Sequence, residues 1–188
     1  MIYIGLDDTD DKTLRGTGRL ARAIAATLSE RYNMRGITRH QLLVDPRVLY
    51  TSHNSSATLH LKEDGDVDLA ALADEVQAIM LADFQDGSDP GLCVARTVER
   101  EMTEFGRRAK TELVYQPEAW KVADRCGCIL RGLGGTQDGV IGALAGIGLA
   151  ATREDGRFIF IGTARELQGA QTVRAILAAG IAEVRAPD

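Results

Sequence analysis

The sequence predicts an α/β chain of the α+β kind: two fused ferredoxin-like βαββαβ halves with mixed or antiparallel sheets. Two observations point there. Short apolar runs of strand length alternate with longer stretches of helical periodicity, and turn residues separate them. The order read over residues 1–96 then returns in outline over 127–188, with a helical bridge at 97–126. That bridge is poor in Pro, Gly and Ser, so it does not read as a flexible linker, and the whole reads as one domain of two halves.

The elements follow in order. Ile2 to Leu6 is a β-branched and aromatic run that reads as a buried strand. Gly18 to Arg31 places Leu20, Ala21, Ile24, Ala25 and Leu28 on one helical face. Strands are expected from Gly36 to Val44 and around Ala57, Leu59 and Leu61, which alternate with polar residues. Asp66 or Asp68 caps a helix reaching Phe84, and Gly91 to Ala95 forms a fourth strand. Two helices near Thr97–Lys110 and Pro117–Arg125 make the bridge. Cys128 to Arg131 reads as a strand, followed by a glycine-rich loop and a helix through Val140 and Leu144. Asp155-Gly156 signals a hairpin between Leu149–Arg153 and Arg157–Ile161. A helix over Ala164–Ala179 and a last strand over Ile181–Arg185 complete the second half.

Composition narrows the function. With 188 residues, 45% of them hydrophobic and 26% charged, the chain has the make-up of a water-soluble enzyme with a real core. Its longest apolar stretches are broken by glycines, and Met1 leads straight into a strand, so neither a membrane span nor a secretory leader is expected. Three cysteines, Cys93, Cys126 and Cys128, suit a reducing cytoplasm. Cys126 and Cys128 have no second pair, which leaves a zinc ribbon unsupported, and Cys93 reads as a core residue. The net charge of −5 argues against a protein that grips many nucleic-acid phosphates by itself.

The chemistry concentrates in two junctions. Asp7-Asp8-Thr9-Asp10-Asp11 follows the first strand directly, and its mutually repelling carboxylates suit a divalent cation. Asp7, Asp8 and Asp10 are the candidate ligands. Hard oxygens on a short turn fit magnesium, which keeps waters and shares its remaining sites with phosphates. Arg15-Gly16-Thr17-Gly18 then opens a helix, where Gly16 and Gly18 allow close backbone approach and the helix N-terminus offers donors to an anion. Thr17 is a candidate for metal binding, for capping or for accepting a phosphoryl group. Gly16 to Ala21 also satisfies the G-x-G-x-x-A pattern of dinucleotide enzymes, but the acidic loop before it does not fit that fingerprint.

The second junction, Arg131-Gly132-Leu133-Gly134-Gly135-Thr136, again runs from strand to glycine loop to helix. It lacks the Gly-Lys-Ser/Thr ending of a P-loop. Gly132, Gly134, Gly135 and Thr136 are candidates to cradle phosphate, with Arg131 as its counter-charge. Gly139, Gly142, Gly146 and Gly148 are read instead as sites of close helix packing. In the polar run Tyr50 to Ser56, His53 and Asn54 are candidates to meet a base or ribose, while His60 is read as structural.

Taken in order, these motifs resemble the archaeal tRNA-isoleucine agmatinylcytidine synthetases. The run Ile4-Gly5-Leu6-Asp7-Asp8-Thr9-Asp10 is similar to that family's opening strand and turn. Gly16-Thr17-Gly18, the polar segment from Tyr50 to Ala57, the Asp89-Pro90-Gly91 turn and the junction into Ile141-Gly142-Ala143-Leu144-Ala145 fit the same order. The resemblance implies a kinase-like domain that uses ATP and magnesium. It implies metal and nucleotide binding for Asp7, Asp8 and Asp10, and for Thr17 the place of the family's phosphorylated threonine. The residues beside Thr17 are glycines, where that family has a cysteine and a second threonine. The OB-fold and zinc ribbon with which the family holds tRNA have no counterpart motifs here, so tight tRNA binding by this chain alone is not expected. The acceptor, a small molecule or an RNA, is left open, and a partner protein or a homo-oligomer is the expected means of supplying what is missing. The alternatives are a non-enzymatic nucleotide-sensing module and a dinucleotide-binding oxidoreductase.

Overall fold

A computed structural model describes residues 1–9, 16–48, 53–84, 86–181 and 183–185. Asp10, Asp11, Arg15 and Tyr50 to Ser52, all named above, lie outside the described residues.

Six strands form one sheet: β1 (Ile2–Asp7), β2 (Asn33–Gln41), β3 (Ser55–Lys62), β4 (Gly91–Ala95), β5 (Ile129–Gly132) and β6 (Arg157–Phe160). Their order is β5-β4-β1-β3-β2-β6, and every neighbouring pair is antiparallel. The inner four strands, with helices α1 (Thr17–Leu28) and α2 (Leu69–Ala82), are the βαββαβ unit read from residues 1–96. The strands of the second half add to its two edges, β5 beside β4 and β6 beside β2.

Side-chain alternation decides which helix covers which face. Ile2, Ile4 and Leu6 of β1 point one way and pack with Leu20, Ile24 and Leu28 of α1 and Leu72, Val76 and Met80 of α2. Cys93 and Ala95 of β4 point the other way, into a second core with α3 (Arg100–Thr111), α4 (Gln116–Cys126) and α5 (Gly139–Thr152). The result is three layers. Asp68 is the cap of α2 that the sequence offered, its carboxylate accepting from the Ala70 and Ala71 backbone at 2.8 and 3.1 Å.

Helix α5 is apolar all round, which is the pattern of a buried helix. Its glycines let it sit directly on the sheet and on α3. A Cβ on Gly146 would come 2.5 Å from Ser56 Oγ, and one on Gly148 would come 2.0 Å from the Met102 carbonyl oxygen. On the sheet side the approach is matched by Gly5, where a Cβ would lie 2.0 Å from the Ala143 carbonyl oxygen.

The same helix overturns one expectation. Residues 149–152 belong to α5, so Asp155-Gly156 joins a helix to β6 and not two strands of a hairpin. Period-2 and helical readings of a short apolar run differ little, and burial on all sides favoured the helix. The C-terminal region also departs from expectation. Residues 164–166 form a 3₁₀ turn, α6 spans only Val173–Ala178, and the described residues of 181–185 form no strand. No described helix is long and apolar enough to cross a membrane.

A buried polar chain crosses the α5 face. Lys110 and His40 both bond Asp155, His40 meets the Thr38 hydroxyl at 2.8 Å, and the same hydroxyl meets His60 at 2.8 Å. Burial lowers the pKa of His40 despite the Asp155 carboxylate beside it, so the ring is neutral near pH 7 and donates from Nδ1. Its Nε2 therefore accepts from Thr38, whose oxygen in turn accepts from His60 Nε2–H. Burial, aided by His40, brings His60 down to about 4. An unfolded histidine titrates near 6.5, so between about 6.5 and 4 the unfolded chain binds more protons than the folded one. Stability should therefore fall as pH drops through that window. Urea titrations at several pH values should show a shallower acid slope for His60→Gln, and an unchanged slope would place the acid sensitivity elsewhere.

Candidate functional site

All the candidate loops meet at one end of the sheet, where β1, β2 and β5 finish and β3, β4 and β6 begin. They wall a cleft of about 1220 Å³. Asp7, Asp8, Gly16, Thr17, Gly18, His53, Asn54 and Thr136 all line it. Sequence positions more than a hundred residues apart thus share one space.

The acidic turn is built by two constraints. Asp7 is the last residue of β1, and its carboxylate lies over α5, where a Cβ on Gly142 would fall 1.6 Å from Oδ2. Asp8 then turns the chain with φ of 49°, a left-handed conformation that aspartate tolerates better than most residues. Thr9 is buried, and its hydroxyl donates to that of Thr17 across 3.2 Å. This bond ties the turn to the start of α1. Gly16 is the N-cap of that helix and Thr17 its first residue, so the Thr17 hydroxyl stands beside free backbone donors and the positive end of the helix dipole.

Beside the acidic turn, the Asp89-Pro90 turn is stitched to the glycine-rich loop. The Thr136 N–H donates to the Asp89 carboxylate, Leu133 N–H donates to the Pro90 carbonyl at 2.8 Å, and Gly139 N–H to the Asp89 carbonyl at 3.0 Å. The glycines here are explained by neighbours. A Cβ on Gly132 would meet the Gln137 side chain at 2.5 Å, one on Gly134 the Phe84 ring at 2.6 Å, and one on Gly135 the Asp89 carboxylate at 1.7 Å. Of this loop only Thr136 reaches the cleft wall. Arg131 lies elsewhere: it binds Asp74 and Gln77 of α2, each at 2.7 Å, and is not among the cleft residues. Asn54 closes its own loop by donating to the Leu43 carbonyl at 2.7 Å.

Charge is divided across the cleft. Asp7, Asp8, Asp89 and Asp138 cluster where β1 ends and β4 begins, and Arg39 and Arg157 form a basic side on β2 and β6, while Arg19, Arg22, Arg47 and Glu112 also line the cleft. Arg39, Arg47, Arg157, Asp89 and Asp138 were not expected as site residues from sequence. Arg39 sits in a strand pattern that reads as ordinary alternation, and Asp138 reads as part of a loop. The Asp89-Pro90-Gly91 turn was visible, without any role attached to its carboxylate.

Two hard oxygen donors, Asp7 and Asp8, with phosphate donors nearby, match the way magnesium is usually held through one or two carboxylates. Among the described residues no three His, Cys, Asp or Glu side chains are grouped to hold a metal alone, and Asp10 lies outside them. Such an arrangement can bind a metal–nucleotide complex, with phosphates completing the coordination, and does not make an all-protein metal cage.

No family model matches the chain, and no curated protein matches it. Solved structures do. A tRNA fluorescent labeling enzyme matches with a TM-score of 0.66 at 23% identity, over 78% of this chain and 35% of that one. Apo TiaS, described as a tRNAIle2 agmatidine synthetase, matches with a TM-score of 0.64 at 22% identity, over 78% and 35%. The TiaS-tRNA(Ile2)-ATP complex matches with a TM-score of 0.66 at 23% identity, over 78% and 36%. The chain thus spans about a third of the length of these proteins, and what it shares with them at this identity is the fold.

Proposed function

We propose that this chain binds Mg-ATP in the cleft and transfers a phosphoryl group from it, in chemistry of the tRNA-modifying type. The observation that carries the reading is the meeting of Asp7, Asp8 and Thr17 at the N-terminus of α1. Carboxylates for a metal, donors for a phosphate and a hydroxyl beside both are the parts that phosphoryl transfer needs. The structures that share the fold include one described as a complex with tRNA and ATP and one with AMPCPP and agmatine, which supports a nucleotide as the ligand.

In this reading Asp7 and Asp8 hold the metal, which when bound offsets charge on the phosphate oxygens. Thr17 and the free N–H groups of the first turn of α1 bind the group in transfer. An acceptor oxygen attacks the terminal phosphorus as the bond to ADP breaks, and the acceptor proton passes to a base or to solvent. Asp10 is a third proposed metal ligand, and His53, which lines the cleft, is the proposed contact to the base or ribose. Arg131, held by Asp74, acts on the fold in this scheme and not on phosphate. A second protein or another copy of the chain is the proposed source of tRNA affinity.

Thr17→Ala tests the centre of the scheme. Gly16 holds the cap position, so no cap is lost, but the change removes the acceptor of the buried Thr9 hydroxyl and should cost about 1 kcal/mol of stability. It should nevertheless lower ADP release from Mg-ATP by about tenfold or more, a loss of roughly 1.4 kcal/mol of transition-state binding. Assays run with tRNA and agmatine present, with peptide mapping for phosphothreonine, decide the matter. Full turnover by folded Thr17→Ala removes the threonine from the chemistry, and nucleotide binding without any turnover in the wild type turns the reading into that of a sensor.

A further inference from the structure

The basic side of the cleft holds an arrangement that the nucleotide reading does not use. Arg39 of β2 and Arg157 of β6 are direct partners across an antiparallel pair. Residues so placed have Cβ atoms about 5 Å apart on one face, and like charges there repel. Pairs of this kind are usually relieved by a carboxylate nearby. Here, among the described residues, neither arginine has one. The nearest in sequence, Asp155, binds His40 and Lys110 instead. Arg39 is held by a different contact, its Nε donating to Ser55 Oγ at 2.8 Å, which leaves the rest of its guanidinium toward the cleft that both arginines line.

We infer that Arg39 and Arg157 form a second anion subsite, which holds a phosphate group of the acceptor at a fixed distance from the phosphoryl-transfer centre. The distance follows from register. Leu6 pairs with Ala57, Ala57 with Arg39, and Arg39 with Arg157. At about 4.8 Å per strand, the arginines stand roughly 10 and 14 Å across the sheet from Leu6, the neighbour of Asp7. These are backbone separations, and they put the pair two and three strands away from the acidic turn, in a part of the cleft where a phosphate on a second molecule can sit. Two guanidinium forks on one wall match the oxygens of a phosphate in a way that lysines would not. The identification of the second molecule as the acceptor rests on the proposed phosphotransferase; the existence of the subsite does not.

Binding of inorganic pyrophosphate in EDTA tests the subsite without metal or nucleotide. Calorimetry should show saturable binding by the wild type, weakened at least about tenfold in R39Q/R157Q and kept in Asp8→Asn. Equal affinity in wild type and double variant, or no binding by the wild type, overturns the inference. If the double variant fails to fold, Arg39→Gln alone carries the comparison. Two further titrations find the source of the phosphate. Weaker binding of a short single-stranded oligoribonucleotide with Mg-ATP affinity unchanged assigns the subsite to the acceptor, as proposed. Weaker Mg-ATP with the oligonucleotide unchanged overturns that assignment and gives the site to the nucleotide. Mg-ATP binding that survives Asp8→Asn would defeat the nucleotide site alone and leave the arginines to be judged on pyrophosphate.

Discussion

Asp8→Asn is expected to remove magnesium-dependent ATP binding from a chain that still folds. The substitution keeps shape and removes one charge from the turn. It also respects the backbone, since Asp8 has φ of 49° and asparagine is among the few side chains that enter the left-handed region readily. Loss of a charged partner to metal and phosphate is worth about 2–3 kcal/mol, or roughly 30- to 150-fold in affinity. Titration calorimetry with Mg-ATP measures it, and circular dichroism verifies the fold. A variant that binds as tightly as the wild type takes the turn out of the site.

Gly5→Ala should be among the most damaging single methyls in the molecule's core. The added Cβ would lie 2.0 Å from the Ala143 carbonyl oxygen and 2.9 Å from its carbon. Both are backbone atoms of a helix that is itself wedged against α3 through Gly106 and Gly148, so no side chain can swing away. Overpacking against backbone belongs at the upper end of its usual range, about 3 kcal/mol. For a domain of this size that lowers the melting temperature by roughly 6–12 °C. Gly65 serves as the contrast. Its φ of +89° strains any replacement, yet a Cβ there meets nothing within 4 Å, so Gly65→Ala should cost about 1 kcal/mol. Urea unfolding of the two variants ranks them, and equal stability would mean that α5 does not bear on β1 through Gly5.

Much of the architecture was legible because local signals were strong. The alternation of Ala57, Leu59 and Leu61, the Asp68 cap and the stripe from Leu20 to Leu28 each announced an element close to its observed bounds. The glycines of α5 were read as packing positions, and the contacts of Gly139, Gly142, Gly146 and Gly148 show the surfaces they admit. What local pattern could not carry was pairing. Nothing in residues 129–132 or 157–160 says that these strands join opposite edges of a sheet already made. The same gap affects the site. Arg131 looked like a phosphate ligand by its place before a glycine loop, but side-chain alternation on β5 turns it to Asp74, on the α2 side. Arg39 looked ordinary because its partner Arg157 is far away in sequence and meets it only through strand pairing.

The placement of β5 and β6 at opposite edges has a consequence for the chain while it is being made. By the time Ala95 has left the ribosome, every strand of the inner four has been synthesised, and they can pair in their final order. The outer rim of β2 then stays open until Phe160 emerges, several seconds later at roughly 5 to 20 residues per second. Until then the nascent protein shows a bare strand edge next to an uncovered apolar face, the kind of surface to which other chains adhere. Arg35, Arg39 and Gln41 lie along that rim, all exposed, and charge of this kind discourages edge-to-edge pairing between copies. The same arginine that faces the cleft in the finished molecule would thus act first as a guard on its unfinished one.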